Sequence, residues 1–241
     1  MAAHNNSFLS PITECIVLAG GLGTRLRSVV ADVPKCMAPV HNKPFLAYII
    51  GYLESYGIER FIFSLGYKHE VITQYLTLHF PRLNAELVVE EEPLGTGGAI
   101  KLSCEKATGN NVIIANGDTL FKADVNILAK THLQHRADCT LALKPMQNFD
   151  RYGVVELKED NTIKSFEEKQ FYKTGLINGG LYALNLNTFL KEDLPSKFSF
   201  EKDYLEALYN KRAMIGVVQD AYFIDIGIPA DYERAQQELS V

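Results

Sequence analysis

The chain has few cysteines. Cys15, Cys36, Cys104 and Cys139 are far apart, and no C-x-x-C pair occurs. That spacing excludes a ribbon-type zinc site, and a chain of 241 residues needs no disulfide framework to stay folded. The thiols are therefore expected to be reduced. No stretch approaches the ~20 apolar residues of a membrane-spanning helix. A basic excess is lacking too: the formal net charge is −5, which argues against a surface for nucleic acid. The six histidines show no metal-ligand spacing, and His132 and His135, three apart on an expected helix, read as a surface pair. Internal repeats, low-complexity tracts and linkers are also missing.

Hydrophobic residues make up 47% of the chain and charged residues 22%, an ordinary globular balance. Residues 1–11 are polar, with no basic start or apolar core. They read as a flexible leader, not a signal peptide, ahead of one domain over 12–241 in a soluble cytoplasmic protein.

Short apolar runs then alternate with amphipathic segments. Strands are expected at Cys15–Leu18, Phe61–Leu65, Glu86–Val89 and Val112–Ala115, with helices at Phe45–Tyr56, His69–Phe80 and Gly98–Lys106. Gly57 supplies a stop signal for the first helix. This β-α-β order predicts an α/β fold, a Rossmann-like three-layer sandwich with a mostly parallel mixed sheet. Farther on, short strands at Cys139–Lys144, Val154–Leu157, Ile163–Phe166 and Gly180–Leu184 predict a small antiparallel subdomain over the sheet edge. Helices are expected at Glu201–Asn210 and at Pro229–Leu239, the latter with its proline in the first turn. Tyr48, Tyr52 and Tyr56 share one helical face and read as core or as a subunit contact, which leaves a homodimer open.

The first strand runs into Leu18-Ala19-Gly20-Gly21-Leu22-Gly23-Thr24-Arg25. Open α/β sheets bind ligands at the C-terminal ends of their strands, where this loop lies. Its glycines let backbone N–H groups approach an anion, and Arg25 adds a permanent cation. Two familiar phosphate loops do not fit. No lysine follows the glycines as a Walker A loop requires, and Leu26 occupies the third glycine position of the dinucleotide fingerprint, which speaks against a nicotinamide enzyme.

The run Leu18–Leu26, followed by Pro34-Lys35, closely resembles the opening of the sugar nucleotidyltransferases. Gly95-Thr96-Gly97-Gly98-Ala99, Asn116-Gly117-Asp118, Phe166-Glu167-Glu168-Lys169, Asn178-Gly179-Gly180 and Asp225-Ile226-Gly227-Ile228-Pro229 recur in the family's order. Leu26–Lys35, continued by Met37-Ala38-Pro39-Val40, looks most like the branch of D-glycero-D-manno-heptose 1-phosphate guanylyltransferases. Ser28, Cys36 and Gln170 stand where the broader family often has proline.

The resemblance implies the nucleotide-diphospho-sugar transferase fold, with a sugar-binding subdomain. It also implies transfer of GMP from GTP to a heptose 1-phosphate, with pyrophosphate released. Mannose, glucose or N-acetylmuramate 1-phosphate, or another nucleotide, remain alternatives, as does an idle relative that only binds sugar nucleotides. The implied catalytic residues are Arg25 at the β- and γ-phosphates, Lys35 near the α-phosphate, and Asp118 and Asp225 as ligands of Mg²⁺. Leu18, Ala19, Gly20, Gly21, Gly23, Thr24, Asn116 and Gly117 would surround the nucleotide. Gly95, Thr96 and Gly97 would meet the base, with a carboxylate among Glu90, Glu91 (taken into the site) and Glu92. A carboxylate can accept from both N1–H and the exocyclic amine of guanine, which favours GTP. Gly153, Glu168, Lys169, Asn178 and Gly179 would hold the sugar phosphate.

Overall fold

The computed structural model describes residues 11–21, 26, 30 and 33–239. Strand β1 (Glu14–Leu18) is followed, beyond a short 3₁₀ turn at Lys35–Met37, by the small hairpin β2 (Pro39–Val40) and β3 (Lys43–Pro44). Then come α1 (Phe45–Ser55), β4 (Arg60–Leu65), α2 (His69–His79), β5 (Ala85–Val89), α3 (Gly95–Ser103) and β6 (Asn111–Asn116). The second half holds β7 (Thr119–Phe121), α4 (Val125–His135), β8 (Cys139–Phe149), β9 (Val154–Leu157), β10 (Ile163–Glu167) and β11 (Tyr172–Asn185). It ends with α5 (Leu186–Phe189), a π-helical segment Phe200–Glu206, β12 (Met214–Val218), β13 (Phe223–Asp225) and α6 (Pro229–Glu238).

The main sheet runs β10-β9-β11-β6-β1-β4-β5, with β8 paired to β11 and β12 paired to β8. Its centre, β6-β1-β4-β5, is parallel. Side chains alternate across a strand, so each central strand feeds two cores. Cys15, Val17, Phe61, Phe63 and Ile113 pack with α1, α2, α4 and α6 on one face. Ile16, Ile62 and Ile114 pack with α3, α5 and the π-helical segment on the other. The three expected layers are thus present.

Local signals explain several boundaries. Helix α1 buries Phe45, Leu46, Ile49, Ile50 and Leu53 at helical spacing and ends before Gly57, whose φ of 84° suits a residue without a Cβ. The Asp124 side chain caps α4 by accepting from the Asn126 and Ile127 N–H groups, and Pro229 opens α6.

Three expectations change. The antiparallel strands of the second half are not set over the sheet edge: β11 joins them to β6, so they continue the same sheet. Helix α3 starts one turn earlier than expected, at Gly95, despite the poor helix propensity of three glycines. His132 is not a surface residue. It is buried, with Nδ1 3.0 Å from Thr140 Oγ1 and Nε2 3.0 Å from Asn111 Oδ1, and burial lowers its pKa to about 4. His135 is exposed, as expected.

The four thiols are free and buried, and burial pushes Cys36 and Cys104 up to about 12. They are therefore inert as nucleophiles at neutral pH. Tyr48 and Tyr52 pack on the core and donate to the carbonyls of Val40 and Ala123. No helix among the described residues is long and apolar enough to cross a membrane.

Candidate active site

The loop after β1 leaves the sheet between the ends of β4 and β6. Ala19 N–H donates to the Ser64 carbonyl at 2.8 Å, and Gly117 N–H donates to the Leu18 carbonyl at 2.9 Å. A Cβ on Gly117 would come within 2.6 Å of that same carbonyl oxygen, so only glycine lets the two strand ends meet this closely. Leu18, Ala19, Gly21, Lys35, Cys36, Gly117 and Asp118 line a narrow cleft of about 30 Å³. Gly23, Thr24 and Arg25 lie outside the described residues.

Lys35 begins the 3₁₀ turn after Pro34. Burial of Cys36 and Met37 anchors that turn and aims the Lys35 ammonium at the strand ends. Asp118 lies between β6 and β7, and Asp225 ends β13, which pairs with β7 through Asp225 and Thr119. Lys35 Nζ donates to Asp118 Oδ2 and, at 3.3 Å, to Asp225 Oδ1. Hydrogen bonds fix both acids: Thr119 Oγ1 donates to Asp118 Oδ1 at 3.1 Å, and Gly227 N–H to Asp225 Oδ1 at 2.8 Å. The lysine side chain is only 10% exposed, against 35% for Asp118 and 24% for Asp225. Asp118 therefore presents its open side to the cleft.

Asp225 lines a different, larger cavity of about 550 Å³. Gly153, Glu168, Lys169, Asn178 and Gly179 contribute to its wall, so the expected sugar-phosphate residues converge, and Asn116, expected at the nucleotide, lines it too. A register break in β11 between Asn178 and Tyr182 shapes this wall. Gly180 adopts a φ of 70° there, and a Cβ would strike the Asn116 side chain at 2.6 Å. Asn178 fixes the break by donating to Tyr182 Oη at 2.8 Å and accepting from Gly180 N–H at 3.1 Å.

The expected base-binding residues divide. Glu91 is exposed, whereas Glu90 turns inward. Glu90 Oε2 accepts from Leu94 N–H at 2.9 Å, and its Oε1 lies 3.1 Å from where a Gly20 Cβ would stand. Thr96 already has protein partners: its hydroxyl donates to Glu201 Oε2 at 2.7 Å and accepts from Phe200 N–H at 2.9 Å. Gly95 and Gly97 admit protein: a Cβ on Gly97 would stand 2.1 Å from the Phe198 ring, and one on Gly95 would stand 2.5 Å from the Phe198 carbonyl oxygen. Sequence reasoning also missed Tyr152, Thr119 and the segment Ser199, Glu201, Lys202 and Glu206, all on the cavity wall.

No group of three or more His, Cys, Asp or Glu residues suited to a metal occurs among the described residues. The Asp118 and Asp225 pair still fits Mg²⁺ by donor chemistry. Both offer carboxylate oxygens, both already share one cation, and Mg²⁺ characteristically takes one or two carboxylates plus substrate phosphates and water.

The chain belongs to the nucleotidyl transferase family, whose model matches residues 14–240. Among its relatives, the D-glycero-alpha-D-manno-heptose 1-phosphate guanylyltransferase of Aneurinibacillus thermoaerophilus is 51% identical over 94% of this chain and 98% of that protein. The protein of the same name from Campylobacter jejuni is 47% identical over 91% and 96%. The structure of HddC from Yersinia pseudotuberculosis complexed with GMP-PN superposes with a TM-score of 0.85 at 37% identity, covering 95% of this chain and all of that one.

Proposed function

We propose that this chain is a sugar-1-phosphate guanylyltransferase that joins GMP from GTP to D-glycero-α-D-manno-heptose 1-phosphate, giving GDP-heptose and pyrophosphate. Residues 12–241 act as one nucleotidyltransferase domain in this reading. The observation that carries it is Lys35 held between Asp118 and Asp225 at the junction of the glycine-loop cleft and the larger polar cavity. The names and near full-length match of the relatives support the choice of substrates.

In the reaction, a phosphate oxygen of the sugar 1-phosphate attacks the α-phosphorus of GTP. A new P–O bond forms, the bond to the bridging oxygen breaks, and pyrophosphate leaves with the electron pair. The nucleophile is ionised at neutral pH, so no general base is required. Catalysis then rests on positioning and on offsetting crowded negative charge. Lys35 donates to the α-phosphate as charge moves there, and Arg25 serves the departing phosphates. Lys169 holds the sugar phosphate in line, while Glu168 accepts from sugar hydroxyls.

Asp118 and Asp225 would hold Mg²⁺, which when bound supplies Lewis-acid polarisation of phosphate oxygens. In this reading Glu90, whose carboxylate lies beside Gly20, accepts from the guanine edge. The identity of the base matters because adenine presents no such pair of donors on that edge.

The test is a matrix of four nucleoside triphosphates against a panel of sugar 1-phosphates, scored by product mass and pyrophosphate release. GDP-heptose as the dominant product supports the proposal. A different nucleotide or sugar as the preferred substrate would replace it, and binding without any turnover would identify an idle relative.

A further inference from the structure

Part of the wall of the large cavity is built from Ser199, Glu201, Lys202 and Glu206, the last three on the π-helical segment. π-helical turns are rare and concentrate at functional sites, because the wider turn re-aims side chains that an α-helix would place elsewhere. This turn is held firmly. Gly97 N–H donates to the Phe198 carbonyl at 3.0 Å, Phe198 N–H donates to the Leu94 carbonyl at 3.0 Å, and Thr96 grips both Phe200 and Glu201. The glycines of α3 are therefore the seat of this wall, which cannot drift from the cleft without breaking those contacts.

The acids on the wall differ in what they already do. Glu201 Oε2 accepts from the Thr96 and Ser199 hydroxyls, so it serves the structure. Among the described residues nothing donates to the Glu206 carboxylate, which lines the cavity and is open to solvent. Burial, and next the charge of Glu168, hold its pKa above the usual carboxylate value, while Lys202 acts in the opposite sense. Glu206 and Glu168 thus face a shared space. An acceptor without donors, beside a second carboxylate, suits a neutral group rich in hydroxyls and repels a phosphate.

We infer that Glu206 accepts hydrogen bonds from the exocyclic hydroxyls of the sugar and so sets the preference for a heptose over a hexose 1-phosphate. This inference rests on the proposed function. The cavity has a polarity: Asp225 with its bridging Lys35 marks the reacting end, and Lys169 serves the anionic phosphate. The polyol end of the sugar must then point toward acceptors. A heptose carries one more hydroxyl-bearing carbon on that end than a hexose, and the Glu206 carboxylate, which like that of Glu168 accepts from no donor among the described residues, has the capacity to meet it. A site built to hydrogen-bond a hydroxyl discriminates against the analogue that lacks it, because the polar group is then left unpaired.

The experiment measures kcat and KM for D-glycero-α-D-manno-heptose 1-phosphate and for α-D-mannose 1-phosphate at saturating GTP, in the wild-type chain, Glu206→Ala and Glu206→Gln. In Glu206→Ala the heptose-over-mannose ratio of kcat/KM should fall at least about tenfold, with the loss in KM for heptose 1-phosphate larger than that in kcat. Glu206→Gln keeps an acceptor oxygen at the same place and should recover part of the ratio. It also carries the test if the alanine variant folds poorly. A ratio unmoved in both variants, or an equal loss with both sugars, overturns the inference while leaving the guanylyltransferase reading intact. A wild-type chain that makes no GDP-heptose overturns both.

Discussion

Lys35 and Asp225, 190 positions apart in sequence, share a hydrogen bond of 3.3 Å, and Lys35 reaches Asp118 at the same time. One ammonium bridges two carboxylates and offsets half of their charge, so the cluster keeps a net negative charge. In the proposed reaction the substrate phosphates arrive beside this lysine, which then exchanges its carboxylate partners for them. Lys35→Ala and Asp118→Asn should each lower kcat by on the order of a hundredfold or more, as removal of an electrostatic stabiliser does. Steady-state kinetics at saturating substrates checks this, and turnover near wild type would remove that residue from the mechanism.

The same ion pair predicts competition in the free protein. Titration with Mn²⁺ in the absence of nucleotide, followed by electron paramagnetic resonance, should show tighter binding to Lys35→Ala than to wild type, because the acids lose their internal counter-ion. Asp225→Asn should bind more weakly. Equal affinities in all three proteins would mean that these acids do not form the cation site.

Glu90 faces Gly20 and caps the Leu94 N–H, so its carboxylate is oriented before any nucleotide binds. Glu90→Ala should reduce the GTP-over-ATP ratio of kcat/KM by about tenfold or more, since the donors of guanine would lose a charged acceptor. Glu91→Ala, at an exposed position, should leave that ratio unchanged. The pair of ratios separates the two neighbouring acids.

Gly97 is pressed against the Phe198 ring, which is itself only 4% exposed and cannot swing away. Gly97→Ala should cost about 2 kcal/mol or more in stability through overpacking. It should also raise KM for the sugar 1-phosphate, because the displaced wall carries Ser199, Glu201 and Glu206. Denaturant melts and kinetics together check this. A variant as stable as wild type would show that the contact is loose.

His132 titrates near 4 in the folded chain through burial, against about 6.5 in the unfolded chain, while nearby Asp138 acts weakly in the other direction. Between those values the unfolded chain binds the extra proton, so the stabilisation is complete above about 6.5 and fades as pH falls toward 4. Unfolding free energy should drop by about 2 kcal/mol between pH 7 and pH 5 from this group alone. His132→Gln should flatten that part of the profile, and an unaltered slope would assign it elsewhere.

Much of this arrangement was legible in the residues because it depends on local signals. Apolar runs ending at or near glycine marked β1, β4 and β6, the run before Glu90-Glu91-Glu92 marked β5, and Gly57 marked the end of α1. Asp118, Asp225 and Lys35 were singled out by their motifs. Their convergence came from pairing of β7 with β13, which no local pattern reveals. The long strands β8 and β11 were under-read because Pro145, Gly175 and Gly179 look like breaks, whereas the antiparallel ladder extends back to the Tyr172 and Phe149 pair, with a register break between Asn178 and Tyr182. Alternation could have chosen Glu90: Val88 is the buried residue of β5, and Glu90 shares its face. Thr96, Gly95 and Gly97 were read toward a ligand, but the partner they meet is Phe198 and the π-helical wall, a contact spanning about a hundred residues that spacing does not encode. His132 reads as polar until tertiary packing supplies Thr140 and Asn111 as partners.

The central claim, that the Lys35, Asp118 and Asp225 cluster is where the phosphoanhydride is exchanged, is tested most directly by a crystal structure with Mg²⁺ and a non-hydrolysable GTP analogue. The account predicts the metal on Asp118 and Asp225, with the Lys35 ammonium transferred from the acids to the α-phosphate. Nucleotide phosphates bound elsewhere, with Lys35 still bridging the two carboxylates, would contradict it.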